Sequence, residues 1–123
     1  MTQTITSEQL EADMRQFTGT EHWYRHPLYR AFCYTDGVKY LAEAAGAYWL
    51  IDTILACQLD PRVEKEYFQF WTLTVNADRS AVLTCTDGND TAVYRQEYGF
   101  TDFPLKTQKL YLTNNVLLLP SEY

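Results

Sequence analysis

Tyr67-Phe-Gln-Phe-Trp-Thr-Leu-Thr-Val75 ends in strict alternation, with Trp71, Leu73 and Val75 on one face and Thr72 and Thr74 on the other. Side chains along a strand repeat every two residues, so this pattern predicts a strand with one apolar face. Downstream of it, residues 76–80 read as a hairpin loop. Residues 81–86 form the return strand, with Leu83 and Cys85 on one face, and Asp87-Gly-Asn-Asp90 is a tight turn. Residues 91–98 make a third strand. Residues 99–105, with Pro104, read as a connection. Residues 109–113 and 116–119 are expected to pair across Asn114-Asn115, two residues that tolerate positive φ. That register sets Leu112 opposite Leu117 and Leu110 opposite Leu119.

Upstream the signals change to helix. Thr6-Ser-Glu-Gln9 fits a capping box. Leu10, Met14 and Phe17 follow at helical spacing, and Gly19 is a candidate terminator. Thr35 is the expected cap of a second helix, with Val38, Leu41, Ala42 and Ala45 on its apolar face. Past Gly46 the apolar stripe moves to Ala47, Leu50, Ile51, Ile54 and Leu55. One straight helix keeps its stripe in phase, so the shift predicts two helices, over 36–45 and 47–58, broken at Gly46 and ended by Asp60-Pro61. Between these helices and the first, residues 22–25 and 30–34 read as a hairpin turning at His26-Pro-Leu-Tyr29. Helical signals in 1–58 and strand signals in 66–119 make the expected fold α+β. It is expected as a single domain over 1–123, with an antiparallel meander of about five strands packed against N-terminal helices.

The chain has 123 residues, and its 16 acidic against 10 basic residues give a net charge of −6. The overall field repels a phosphate backbone, so nucleic acid is an unlikely partner. The start, Met1-Thr-Gln-Thr-Ile-Thr-Ser-Glu8, has neither a basic n-region nor an apolar stretch, and no segment is apolar enough to span a bilayer. Cys33, Cys57 and Cys85 are an odd number at wide spacing, which fits free thiols in a reducing cytoplasm rather than a disulfide framework.

The run Tyr34-Thr-Asp-Gly-Val-Lys-Tyr-Leu-Ala-Glu-Ala-Ala-Gly-Ala-Tyr-Trp-Leu-Ile-Asp52 resembles the signature of an uncharacterised bacterial family, carried as a domain of unknown function. Phe68-Gln-Phe-Trp71, Thr84-Cys-Thr-Asp-Gly88, Tyr98-Gly-Phe-Thr-Asp-Phe-Pro-Leu105 and Val116-Leu-Leu-Leu-Pro-Ser-Glu-Tyr123 extend the resemblance over most of the chain. It implies a bacterial or mobile-element setting. It carries over no activity, cofactor or catalytic residue.

His22 and His26 sit four apart, but Pro27 pushes His26 toward extended backbone, where i and i+4 lie about 13 Å apart, too far for one ion. No metal and no cofactor is therefore expected. No Cys-His motif context, Gly-x-Ser-x-Gly elbow or phosphate loop is present. Asp52 lies in an apolar helix with Tyr48 one turn earlier, so it reads either as a carboxylate in a cleft or as a residue that orients its helix.

Ten Tyr, six Phe and three Trp make 15% of the chain. They serve either a core of large residues or an aromatic contact surface. In the hairpin, Trp23 and Arg25 point one way and Tyr24 the other, with His22 and His26. One set packs inward and the other is left for a partner. The expected function is a non-catalytic binding or interaction module, with His22, Trp23, Tyr24, Arg25, Tyr29 and Asp52 as binding residues. The expected partner is a protein or a second copy of the chain. The alternatives are a small enzyme working through His22, Tyr24, Asp52 and Arg25 in a polar pocket, or an acidic inhibitor or nucleic-acid mimic.

Overall fold

A computed structural model describes residues 5–19, 22–89 and 91–123. Its four helices are α1 (Ser7–Met14), α2 (Asp36–Ala45), α3 (Tyr48–Ala56) and the single turn α4 (Pro61–Glu64). Its strands are β1 (Trp23–Arg25), β2 (Cys33–Thr35), β3 (Phe68–Val75), β4 (Ala81–Thr86), β5 (Ala92–Tyr98), β6 (Thr107–Thr113) and β7 (Val116–Leu118).

Local signals in the sequence are largely realised. The Thr6 hydroxyl accepts from the Gln9 amide, although the Gln9 side chain turns to Asp13 instead of completing the box. α1 stops at Met14, short of Gly19. Thr35 caps α2 by accepting from Val38 N. Gly46 breaks the helix at φ 63°, a left-handed conformation that other residues adopt at a cost. Asp60 ends the α3 region, and it also caps α4, with Pro61 in that helix's first turn. Asn114 and Asn115 take φ 52° and 62°, the two positive values a two-residue hairpin turn requires, and Leu112 faces Leu117. The second expected pair does not form, because β7 ends at Leu118 and Leu119 leaves the ladder.

The fold is α+β, but the five-strand antiparallel meander is corrected to a seven-stranded mixed sheet in the order β1-β2-β7-β6-β3-β4-β5. Only β3, β4 and β5 run as a meander. The chain then returns, and β6 pairs with β3 rather than with β5, a Greek-key step. The return runs through the connection that the sequence shows only as a loop. Phe103 and Leu105 within it are buried in the core. The Arg79 guanidinium in the β3–β4 loop donates to the carbonyls of Thr101 and Phe103, at 3.1 and 2.7 Å. The hairpin joins the same sheet, because β2 lies parallel to β7 with Tyr34 beside Leu117.

The core lies between the helices and one sheet face. Trp71, Leu73, Leu83, Cys85, Leu110, Leu112 and Leu117 meet Leu10, Val38, Leu41, Leu50, Ile51, Ile54 and Leu55. Each such side chain contributes about 1.5–3 kcal/mol relative to exposure. Buried amides in this layer are mutually bonded: Gln58 and Gln69 exchange hydrogen bonds at 2.9 and 2.8 Å, and Trp71 Nε1 donates to Gln69. On the opposite face Phe68, Phe70, Tyr111 and Tyr123 stack or meet edge to face, at centroid distances of 4.7–5.9 Å.

Candidate functional site

The hairpin β1–β2 and the helices behind it gather the candidate residues. In the three-residue strand β1, alternation turns Tyr24 inward and leaves Trp23 and Arg25 exposed. The inward side meets the first turn of α2. Asp36 accepts the Tyr24 hydroxyl at 2.8 Å on one oxygen and lies 3.3 Å from His22 Nδ1 on the other. A carboxylate in a first helical turn is favoured by the helix dipole. The Tyr24 hydrogen bond, joined by His22, holds the Asp36 carboxyl below its ordinary range. The same bond is the main cause that raises the Tyr24 hydroxyl. The Tyr24 ring stacks on Tyr34 at 5.8 Å, and Lys39 Nζ sits 4.8 Å from its centroid, within cation–π range.

The turn is organised by His26, which is only 5% exposed. Its Nδ1 lies 3.1 and 3.0 Å from the donating amides of Leu28 and Tyr29. Pro27 has no amide to offer, so the next two fill the position. A nitrogen that accepts two N–H groups carries no proton, which assigns the ring proton to Nε2. Nε2 in turn donates to Asp52 on α3 at 2.7 Å. The imidazole thus fastens the hairpin turn to the third helix. The Arg25 guanidinium closes the other side of the turn on the Arg30 carbonyl. Tyr29 is half-buried with its ring 5.2 Å from that of His26.

The six sequence candidates therefore divide. Tyr24, Tyr29 and Asp52 build the support, and His22 lies beside it on Asp36. Trp23 and Arg25 face outward. The Tyr48–Asp52 proximity expected from helical spacing does not become a bond, since Tyr48 donates to Glu43 at 3.2 Å and Asp52 takes His26. Burial, followed by Glu43, pushes the Tyr48 hydroxyl up to about 12. Asp36, which joins Tyr24 and His22 in this cluster, is not among the residues the sequence singled out. Nothing local marks its partner Tyr24, 12 residues away.

Both His26 nitrogens are engaged, so the ring has no lone pair for a substrate proton. Among the described residues no partner meets His22 Nε2, and the side chain is 70% exposed. A groove of about 700 Å³ lies elsewhere, lined by Ser7, Glu11, Asn76, Arg79 and Lys106 among others. Burial pushes the Cys57 thiol up and the Cys85 thiol to about 12, both away from the thiolate form. Among the described residues, no three His, Cys, Asp or Glu side chains are placed to share a metal ion, and no helix is long and apolar enough to cross a membrane.

A family model described as a family of unknown function, DUF6876, matches residues 8–123. The chain belongs to this family. The match takes in the hairpin, the Tyr34–Asp52 run and the sheet together, so the locked hairpin described above lies within the family's own span. No curated protein and no solved structure matches the chain.

Proposed function

We propose that the protein is a non-catalytic interaction module that binds a protein partner through the outer face and tip of the β1–β2 hairpin. One observation carries this reading: Trp23 is 60% and Leu28 71% exposed on a hairpin whose inner side is fixed by two separate side-chain anchors. Large apolar groups held outward on a rigid support lose little entropy on binding, which favours recognition. Arg25 stands on the same face as Trp23, and Trp with Arg is the pairing enriched at interface hot spots.

The mimic reading gains no support, since Glu43, Asp60 and Glu97 each pair with a cation rather than lining one bare acidic face. The setting in a bacterial cytoplasm stays part of the proposal. The test is cross-linking mass spectrometry of the tagged chain in its native host, comparing wild type with a Trp23→Ser, Leu28→Ser double variant. Cross-links from the hairpin to one partner that vanish in the variant, at unchanged melting temperature, support the reading. Retention of the same partner by the variant overturns it.

A further inference from the structure

We propose that the chain also pairs with a second copy of itself, strand β5 against strand β5, antiparallel, on a two-fold axis at Gln96. β5 is last in the strand order. One edge bonds to β4, and no strand lies beside the other among the described residues. A seven-residue edge leaves a row of N–H and C=O groups that another strand can match. Such edges are commonly protected by charge, and the charges on β5 have a particular arrangement. Arg95 and Glu97 are exposed, while Tyr94, Gln96 and Tyr98 between and around them are half-buried. Arg95 stands beside Thr84 and Glu97 beside Val82, on the sheet face opposite Leu83 and the core.

The register follows from parity. A two-fold axis normal to the sheet preserves its faces, so opposed residues must point to the same side, and the axis must pass through a residue. An axis at Arg95 opposes Arg95 to its own copy, and one at Glu97 opposes Glu97 to its own copy. Both juxtapose like charges, which is destabilising. An axis at Tyr94 sets Arg95 against Val93, and one at Tyr98 sets Glu97 against Gly99, so neither pairs the two charges. An axis at Gln96 sets each Arg95 opposite the second copy's Glu97, and Tyr94 opposite Tyr98 on the other face. The same centre is favoured by the strand's own regularity. The ladder shifts between Cys85 and Thr86, leaving Tyr94 to Tyr98 as the regular stretch, whose middle residue is Gln96. Arg95 and Glu97 already form an ion pair within one chain, so the two-fold closes four charges into one neutral cluster.

This seam lies at the opposite edge of the sheet from β1, so it is independent of the hairpin reading. Sedimentation velocity over a concentration series tests it. The wild type is expected to dimerise. Arg95→Glu, which opposes Glu to Glu twice, is expected to weaken the dimer at least about tenfold. Adding Glu97→Arg to that variant is expected to restore it. Register is read separately by Gln96→Cys, which places two thiols opposite each other on the axis, within disulfide range. Under mild oxidation Gln96→Cys should give a covalent dimer, and Arg95→Cys and the wild type, with Cys33, Cys57 and Cys85, should not. A monomeric wild type overturns the proposal. So does a dimer indifferent to Arg95→Glu, or equal cross-linking of Gln96→Cys and Arg95→Cys. Far-UV circular dichroism and melting confirm that each variant is folded.

Discussion

Oε1 of Glu122 accepts the Thr35 hydroxyl at 2.5 Å, joining the chain after β7 to the cap of α2. The same carboxylate accepts from Leu119 N at 2.9 Å and Gly37 N at 3.1 Å. It is nearly buried, and these three donors satisfy it, two of them at the start of α2. Glu122→Ala removes the acceptor for three donors and is expected to cost about 3 kcal/mol. Glu122→Gln, which keeps one acceptor oxygen, should cost about half. Urea unfolding with an unchanged m-value measures both. A loss below about 0.5 kcal/mol for the alanine variant would show that the clasp does not stabilise the fold.

Gly37 has no room for a side chain at this clasp. A Cβ there would lie 2.7 Å from Leu119 Cδ1 and 2.8 Å from Glu122 Cδ. Gly37→Ala therefore displaces Leu119 and Glu122 together, at an expected cost of about 1–3 kcal/mol. The contrast is Gly46, where nothing lies within 4 Å and the cost is the left-handed φ alone. Gly46→Ala is expected to lose about 1 kcal/mol, with Gly46→Asn losing less. Near-additive losses in the Gly37→Ala, Glu122→Ala double variant would count against the shared mechanism, because contacting residues should couple.

The His26 assignment makes a spectroscopic expectation. Nitrogen NMR of the neutral ring should show Nδ1 bare and Nε2 protonated. His26→Ala removes the acceptor from the Leu28 and Tyr29 amides and the donor from Asp52, at an expected cost of about 2 kcal/mol. Exchange of those two amides should speed up more than exchange in β3. The opposite tautomer, or amides unaffected by the substitution, would remove His26 as the organiser of the turn.

Alkaline pH should weaken the fold through its tyrosines. The Asp13 hydrogen bond is the main cause that raises Tyr40 to about 12. Burial, followed by Cys57, raises Tyr94 to about 12. A hydroxyl whose folded pKa exceeds its unfolded value near 10 binds its proton more tightly in the native state. The stability this gives is complete below about pH 10 and is lost as pH rises toward about 12. Absorbance titration should show these phenols ionising late. The melting temperature should fall across the same window, and less so in Tyr40→Phe. A Tyr40→Phe curve parallel to wild type would exclude Tyr40 as a contributor.

What the sequence made legible was local. Caps at Thr6 and Thr35, the break at Gly46, the Asn114-Asn115 turn and the alternation of β3 each depend on residues within one or two turns of chain. Strand order was not legible, because it depends on meetings between distant residues: β6 with β3, and Tyr34 with Leu117. The candidate residues were found as a segment, but their bonds were not. Tyr24 and Asp36 are 12 apart and His26 and Asp52 are 26 apart, distances at which no periodicity operates.

Arg79 is where that non-local order can be tested. Its φ of 71° is left-handed, a conformation that costs any residue with a Cβ and suits glycine. Its guanidinium nevertheless holds the Thr101 and Phe103 carbonyls, and its own carbonyl accepts from Thr101 N at 2.8 Å. Conformational relief and lost hydrogen bonds thus act in opposite directions at one position. Arg79→Ala keeps the strained φ and loses the side-chain bonds, for an expected cost of about 2–3 kcal/mol. Arg79→Gly loses the same bonds but relaxes the backbone, and should recover about 1 kcal/mol of that. Arg79→Lys keeps the charge without the planar fork that reaches two carbonyls at once, so it should resemble alanine more than wild type. If the connection it clasps fixes the return of β6, all three variants should speed amide exchange at Thr101 and Phe103 before β3 is affected. Uniform exchange across the sheet, with lysine equal to arginine in stability, would mean that Phe103 and Leu105 hold the crossover by burial alone.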